Sequence, residues 1–134
     1  MGTVSPFFFT TGPIENAYFN STEVLALKFL NDSNSPISVR AQVYGLNGGK
    51  DLLFDTGVIN LDSCESTFNF VNFEAEGIPV PAQFEVVFIS SIKSGALFSV
   101  WGYHIDENDN LISNPEHRVL HSELTKLRNI CEPG

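Results

Sequence analysis

Charged residues are scarce in this chain, and most of the charge is negative. Only 17% of its 134 residues are charged, and 7 Lys and Arg against 16 Asp and Glu give a net charge of −9. Proteins that bind nucleic acids or anionic lipids need basic surfaces for the phosphates. The composition argues against both classes, so we expect no nucleic-acid partner and no membrane insertion.

Long apolar runs and an N-terminal targeting segment are also missing. The first basic residue is Lys28, whereas a signal peptide begins with a positively charged segment. The apolar runs are far shorter than the roughly 20 residues that a transmembrane helix needs. We therefore expect the protein to be made in the cytoplasm without secretion.

Cysteine is represented by two residues only, Cys64 in the predicted turn "LDSCES" and Cys131 near the C-terminal end. The two cysteines could be unrelated free thiols or form a disulfide. Both interpretations stay open, because two cysteines alone do not establish a disulfide pattern. Thiols at a turn and a tail suit a bond between chains better than a staple inside a core. Cys64 and Cys131 are therefore candidate disulfide partners.

The hydrophobic pattern has the period of β-strands. In "ISVRAQVYG" (Ile37–Gly45) apolar and polar side chains alternate, and "LNGGK" follows as a predicted hairpin turn. Seven or eight such strands are separated by turn signals, and no helix is long enough for a crossover. The last segment, "RVLHSELTKL", fits a strand or a short helix, and we favour the strand. The pattern predicts an all-β fold, a single-domain antiparallel β-sandwich that is jelly-roll-like.

Three adjacent phenylalanines near the N-terminus need something to cover them. Gly12-Pro13 separates them from the first predicted strand, so we divide the chain into an extended arm (1–13), a β-sandwich (14–127) and a tail (128–134). The arm can fold back as an edge strand of its own domain, or add a strand to a neighbouring subunit. The second interpretation predicts head-to-tail fibres. The candidate subunit-interface residues are Val4, Phe7, Phe8, Phe9, Gly12 and Pro13.

No constellation in the sequence indicates catalysis. There is no Gly-x-Ser-x-Gly elbow and no phosphate-binding glycine loop. His117 and His121 are four residues apart, near Glu116 and Glu123, and we favour two surface histidines over a metal site. The stretch 106–110 resembles the start of a calcium loop, but Leu111 stands where such a loop needs Gly. We expect no enzymatic activity, no metal and no cofactor.

Trp101 and the tyrosines leave an alternative function open. Aromatic side chains could form a platform on which a sugar stacks, although Trp101 lies within an apolar alternation that favours packing against the sheet. The alternative is therefore a non-enzymatic binding module that recognises carbohydrate or protein.

Two segments carry a resemblance to a known family. "ISVRAQVYGLNGGKDLLFDTG" and "LFSVWGYHIDENDNLISNPEHRVLHSEL" resemble segments of small β-sandwich proteins from the spore surface of Bacillus-type bacteria, which we link to the endospore appendage subunits. The resemblance extends from about Thr22 to Leu124.

The resemblance implies a pilin-like structural subunit that assembles into a fibre on the spore surface. Its partners would be further copies of itself, together with spore coat or exosporium proteins, and deposition from the mother-cell cytoplasm needs no signal peptide. In that family an N-terminal connector reaches into the neighbouring subunit, and residues 2–12 occupy its position here. The better-known appendage subunits have connector cysteines that form disulfides between subunits, whereas this chain has only Cys64 and Cys131.

Overall fold

A computed structural model describes residues 6–131, which form eleven strands and one short 3-10 helix. The helix comprises His121–Glu123 and precedes the last strand. In chain order the strands are β1 (Phe7–Thr10), β2 (Ile14–Glu15), β3 (Val24–Asn31), β4 (Ile37–Leu46), β5 (Lys50–Asp55), β6 (Ile59–Leu61), β7 (Ser66–Asn72), β8 (Gln83–Ser90), β9 (Ala96–Ile105), β10 (Leu111–Val119) and β11 (Thr125–Leu127).

The strands form two antiparallel sheets, which confirms the predicted β-sandwich. One sheet has the order β11-β1-β8-β4-β5, with β2 paired to β8 and β6 paired to β4. The other has the order β10-β9-β3-β7. No described helix has the length and hydropathy of a transmembrane segment.

The core lies between the two sheets and is rich in phenylalanine. Because side chains alternate along a strand, every second residue of β3, β4, β8 and β9 points inward. Phe88 of β8 stacks on Phe98 of β9 with ring centroids 4.7 Å apart, and Phe29 of β3 meets both rings edge-on. Residues from both sheets therefore form one continuous cluster.

The N-terminal phenylalanines lie in strand β1, and the neighbouring strands cover them. Strand β1 pairs with β8 on one side and β11 on the other, so Phe7–Thr10 lie inside the seven-stranded sheet. Phe9 is 6% exposed and joins the core, whereas Phe8 is 8% exposed on the opposite face. The predicted arm 1–13 is therefore corrected, because its central part is a strand of the sandwich. Strand β1 is not an edge strand either, since β11 pairs with its outer side at Phe8–Thr10.

The predicted tail also contacts the sandwich. Ile130 packs on a second apolar cluster on the outer face of the seven-stranded sheet, beside β11. The buried members of this cluster are Phe8, Tyr44 and Val87. The last strand, β11, ends at Leu127, and the segment that follows it packs on the sandwich through Ile130.

Two further segments differ from the expected strands. The C-terminal segment contains both alternatives, a 3-10 turn at His121–Glu123 and then the short β11. The backbone N–H of Phe98 donates to His121 Nδ1 at 3.2 Å, and burial lowers the pKa of His121. The stretch "DLLFDTGVINL", whose apolar residues favour one strand, divides into β5 and β6, and Gly57 adopts φ = 73° between them.

We predict that Phe9→Ala lowers the free energy of unfolding by about 3–5 kcal/mol, because it removes a buried ring between the sheets. Phe19→Ala is the matched control, since Phe19 is 91% exposed, and it should change stability by less than about 0.5 kcal/mol. Urea denaturation followed by circular dichroism measures both values. Equal stability of the two variants would contradict the placement of β1.

Candidate interaction surfaces

Strand β7 is an open edge of the four-stranded sheet. Within residues 6–131 it pairs only with β3, over the seven positions Ser66–Asn72. It contains no charged residue and no proline, the usual devices that protect an edge strand. Phe68 and Phe70 point outward from it and are 59% and 51% exposed. Their ring centroids are 5.3 Å apart.

The other sheet edges are protected. Strand β10 contains Pro115 and loses its register between Asn114 and Val119. Strand β5 carries three charged residues in six, and β2, β6 and β11 have only two or three residues each. An edge without protection tends to pair with another strand, which singles out β7 as a surface for association.

Aromatic side chains continue across the outer surface of this sheet. The register places Ala26 of β3 between Phe70 of β7 and Trp101 of β9. Lys28 Nζ lies 5.5 Å from the centroid of the Trp101 ring, on a face that Tyr103 extends along β9. We call Phe68, Phe70, Trp101 and Tyr103 the aromatic face.

The two ends of the sandwich differ in charge. One end contains the connections 16–23, 47–49, 73–82 and 106–110, and we call it the acidic end. Ten of the sixteen acidic residues lie in these connections or beside them: Glu15, Glu23, Asp51, Glu74, Glu76, Glu85, Asp106, Glu107, Asp109 and Glu116. Phe19 projects from connection 16–23 and is 91% exposed.

A cleft of about 590 Å³ lies at the opposite end, between β1, β11 and the turn after β8. Its apolar lining comes from Pro6, Phe7 and Leu127, and we call it the basic cleft because three of its remaining lining residues are cations. These are Lys93, Lys126 and Arg128, and none of them forms an ion pair within the described chain.

A buried hydrogen-bond network holds the connection that carries Phe19. His117 of β10 is 3% exposed, and its Nε2 lies 2.8 Å from the carbonyl oxygen of Glu15. Its Nδ1 contacts Thr22 Oγ1, which also accepts a hydrogen bond from Asn114 Nδ2 at 2.9 Å. Asn16 donates to the carbonyl of Thr22 and accepts from its N–H. Connection 16–23 is therefore fixed at both of its ends.

The network fixes the tautomer of His117, because each hydrogen must have an acceptor. The Glu15 carbonyl can only accept, so Nε2 carries the proton and Nδ1 accepts from the Thr22 hydroxyl.

The Tyr18 hydroxyl donates to Glu116 Oε1 at 3.0 Å. Partial burial, this hydrogen bond and the charges of Glu116 and Glu15 raise the pKa of Tyr18 to about 12, so the phenol keeps its proton.

The structure separates the two histidines that the sequence places four residues apart. His117 is buried in the network, whereas His121 packs against Phe9 and Phe98. Asp106 closes the turn 106–110 by accepting hydrogen bonds from the backbone of Asn108 and Asn110. No group of His, Cys, Asp and Glu suited to a metal occurs among residues 6–131.

The predicted interface and disulfide residues do not form one site. Phe7 lines the basic cleft, Gly12 adopts φ = 69° in the break before β2, and Pro13 is exposed there. Val4 lies outside the described residues. Cys64 and Cys131 are both exposed and unpaired, so the chain forms no disulfide with itself and a bond between chains remains a prediction.

Sequence reasoning did not identify β7, Phe19 or the basic cleft as candidate surfaces. The signal for β7 was readable, because "STFNFVN" alternates without a charge. No local signal marks the cleft, since its cations come from residues 93, 126 and 128, which only the fold brings together.

No known protein family matches the chain, and no curated protein matches its sequence. Among solved structures, the chain is similar to the crystal structure of Thermotoga maritima 1070, with a TM-score of 0.47 and 11% identity. The match covers 85% of this chain and 93% of that chain. A similarity this weak gives no information about function. The function is therefore inferred from the surfaces of the molecule.

We predict that Gly102→Ala disrupts the His117 network. A Cβ at Gly102 would lie 2.6 Å from Thr22 Oγ1 and 2.7 Å from His117 Cβ, too close for any real contact. The variant should lose about 1–3 kcal/mol of stability, as overpacked cores do. Gly49→Ala is the control, because a Cβ there meets no atom within 4 Å. Thermal unfolding compares the two, and an unchanged Tm for Gly102→Ala would refute the tight packing.

Proposed function

We propose that the protein is a non-catalytic structural subunit that associates with further copies of itself through the open edge of β7. The observation that carries this proposal is an uncharged, phenylalanine-bearing edge strand in a sandwich whose other edges are protected. Strand addition at such an edge combines backbone hydrogen bonds with side-chain contacts. Phe8 and Phe9 are not available for this role, because both are buried in their own chain.

The geometry of β7 favours a symmetric antiparallel pair. If the two-fold axis passes through Asn69, then Phe68 of each copy lies opposite Phe70 of the other, and both rings point to the same outer surface. Cross-strand aromatic pairs contribute roughly 0.2–1 kcal/mol each beyond the backbone hydrogen bonds. The two four-stranded sheets would then continue as one sheet of eight strands, with the aromatic face extended across the junction.

Assignment to a fibre on the spore surface rests on the sequence resemblance to the endospore appendage subunits. A self-associating sandwich is compatible with that location, and the exposed thiols of Cys64 and Cys131 could add covalent bonds between neighbouring copies. The β7 contact does not depend on these thiols.

We predict that Asn69→Cys, in a Cys64→Ser/Cys131→Ser chain, forms a disulfide-linked dimer under mild oxidation. Opposed residues in an antiparallel pair have Cα atoms about 4.5–5.5 Å apart, within disulfide range. Adding Phe68→Lys/Phe70→Lys should reduce the yield at least tenfold, because like charges would face each other across the junction. Non-reducing gel electrophoresis measures the yield.

Val58→Cys in the same cysteine-free chain is the matched control, since Val58 is exposed beside the opposite sheet edge. It should cross-link only at the rate of random collision. Equal yields from Asn69→Cys and Val58→Cys, or a yield that the two lysine substitutions leave unchanged, would rule out pairing through β7.

A second candidate function is recognition of carbohydrate by the aromatic face, which the partial exposure of Trp101 and Tyr103 beside Phe70 favours. In this case Trp101→Ala or Tyr103→Ala should abolish specific binding on a glycan array, because a sugar ring stacks on an aromatic surface. Phe19→Ala removes an aromatic ring elsewhere and should leave binding unchanged. Absence of specific binding by the unmodified protein would remove this candidate.

A further inference from the structure

We propose a second contact between copies, in which the acidic end of one copy, with Phe19 foremost, docks into the basic cleft of the next. This contact uses no residue of β7 and therefore does not depend on the β7 pair. The argument rests on the exposure of Phe19, on the composition of the cleft and on the opposite charges of the two surfaces.

Phe19 is presented to solvent by an ordered connection. It is 91% exposed, although a phenylalanine ring gains about 1.5–3 kcal/mol when it is fully buried. On either side of it, Asn16 and Thr22 are buried and hydrogen-bonded to each other, and His117 contacts Thr22. The backbone is therefore held on both sides of Phe19, which reduces the backbone entropy lost when a partner covers the ring.

The basic cleft has the size and composition to receive such a ring. Pro6, Phe7 and Leu127 supply apolar walls, and the volume of about 590 Å³ exceeds the roughly 150 Å³ that holds benzene in an engineered cavity. Lys93 and Arg128 stand at the cleft without an ion pair in residues 6–131. None of its lining residues within 6–131 is acidic.

The positive charge of the basic cleft favours an acidic partner. Its cations form no ion pair within residues 6–131, although the chain has a net charge of −9. The acidic end of another copy is such a partner and is always present. Glu15 and Glu116 accompany Phe19 there, close enough to Tyr18 to raise its pKa. Asp32, Asp62 and Glu65 lie at the same end as the cleft but do not line it.

The positions of the two surfaces determine the kind of assembly. They lie at opposite ends of the sandwich, so the contact is head-to-tail and each copy can use both surfaces at once. Head-to-tail contacts produce open filaments or rings, whereas the symmetric β7 pair closes on itself. Combined, the two contacts would join chains of subunits side by side.

The proposal is tested in Phe68→Lys/Phe70→Lys protein, in which the β7 contact is removed. Sedimentation velocity measures the association of further variants of this protein, alone and mixed. This protein should form concentration-dependent oligomers. Adding Phe19→Ser, or adding Lys93→Glu/Arg128→Glu, should weaken association at least tenfold. Mixed in equal amounts, these two variants should form dimers and nothing larger, because each retains the surface that the other has lost. Lys28→Glu/Arg118→Glu, which reverses two cations on the four-stranded sheet, should leave the oligomers unchanged.

Three outcomes would overturn the proposal. The first is a monomeric Phe68→Lys/Phe70→Lys protein at every concentration, and the second is oligomers that persist in Phe19→Ser. The third is loss of association when residues 1–5 are removed, since the cleft would then receive the N-terminal segment of a neighbour. The Asn69→Cys cross-link reports on β7 alone, so failure of one contact is distinguishable from failure of the other.

Discussion

The stack of Phe88 on Phe98 is the contact on which the rest of the sandwich depends. It joins the central strands of the two sheets at a centroid distance of 4.7 Å, and Phe29 closes the cluster edge-on against both rings. Phe9 reaches the same cluster through Phe98, at 5.6 Å. Because protein interiors are close-packed, a cluster of this kind sets both the spacing and the relative position of the sheets.

Burial of the N-terminal phenylalanines changes which parts of the molecule are available for function. With Phe9 in the core and Phe8 covered near Ile130, the segment that looked most suited to docking on a neighbour stabilises its own sheet. The phenylalanines exposed at the surface are Phe68 and Phe70 on the open edge and Phe19 at the acidic end. A function in association therefore depends on an edge and an end of the sandwich.

The His117 network shows how a polar core residue can serve a surface. His117, Thr22 and Asn114 satisfy one another's hydrogen-bonding groups, and no buried side-chain donor or acceptor in the described residues lacks a partner. A satisfied polar network specifies one arrangement of the backbone, because any other leaves a group unpaired. Here it holds the connection that presents Phe19, and the small size of Gly102 allows the close approach.

By itself the sequence determined the β class of the fold and strands such as β4, because alternation like that of Ile37–Gly45 is a local signal with the period of the backbone. The same alternation puts Phe9 and Phe8 on opposite faces of β1. Only the tertiary structure decided that β11 covers β1, that β7 stays open, and that residues 93, 126 and 128 share one cleft. Sheet order and the meeting of distant residues depend on contacts between segments far apart in the chain, and no local pattern encodes them.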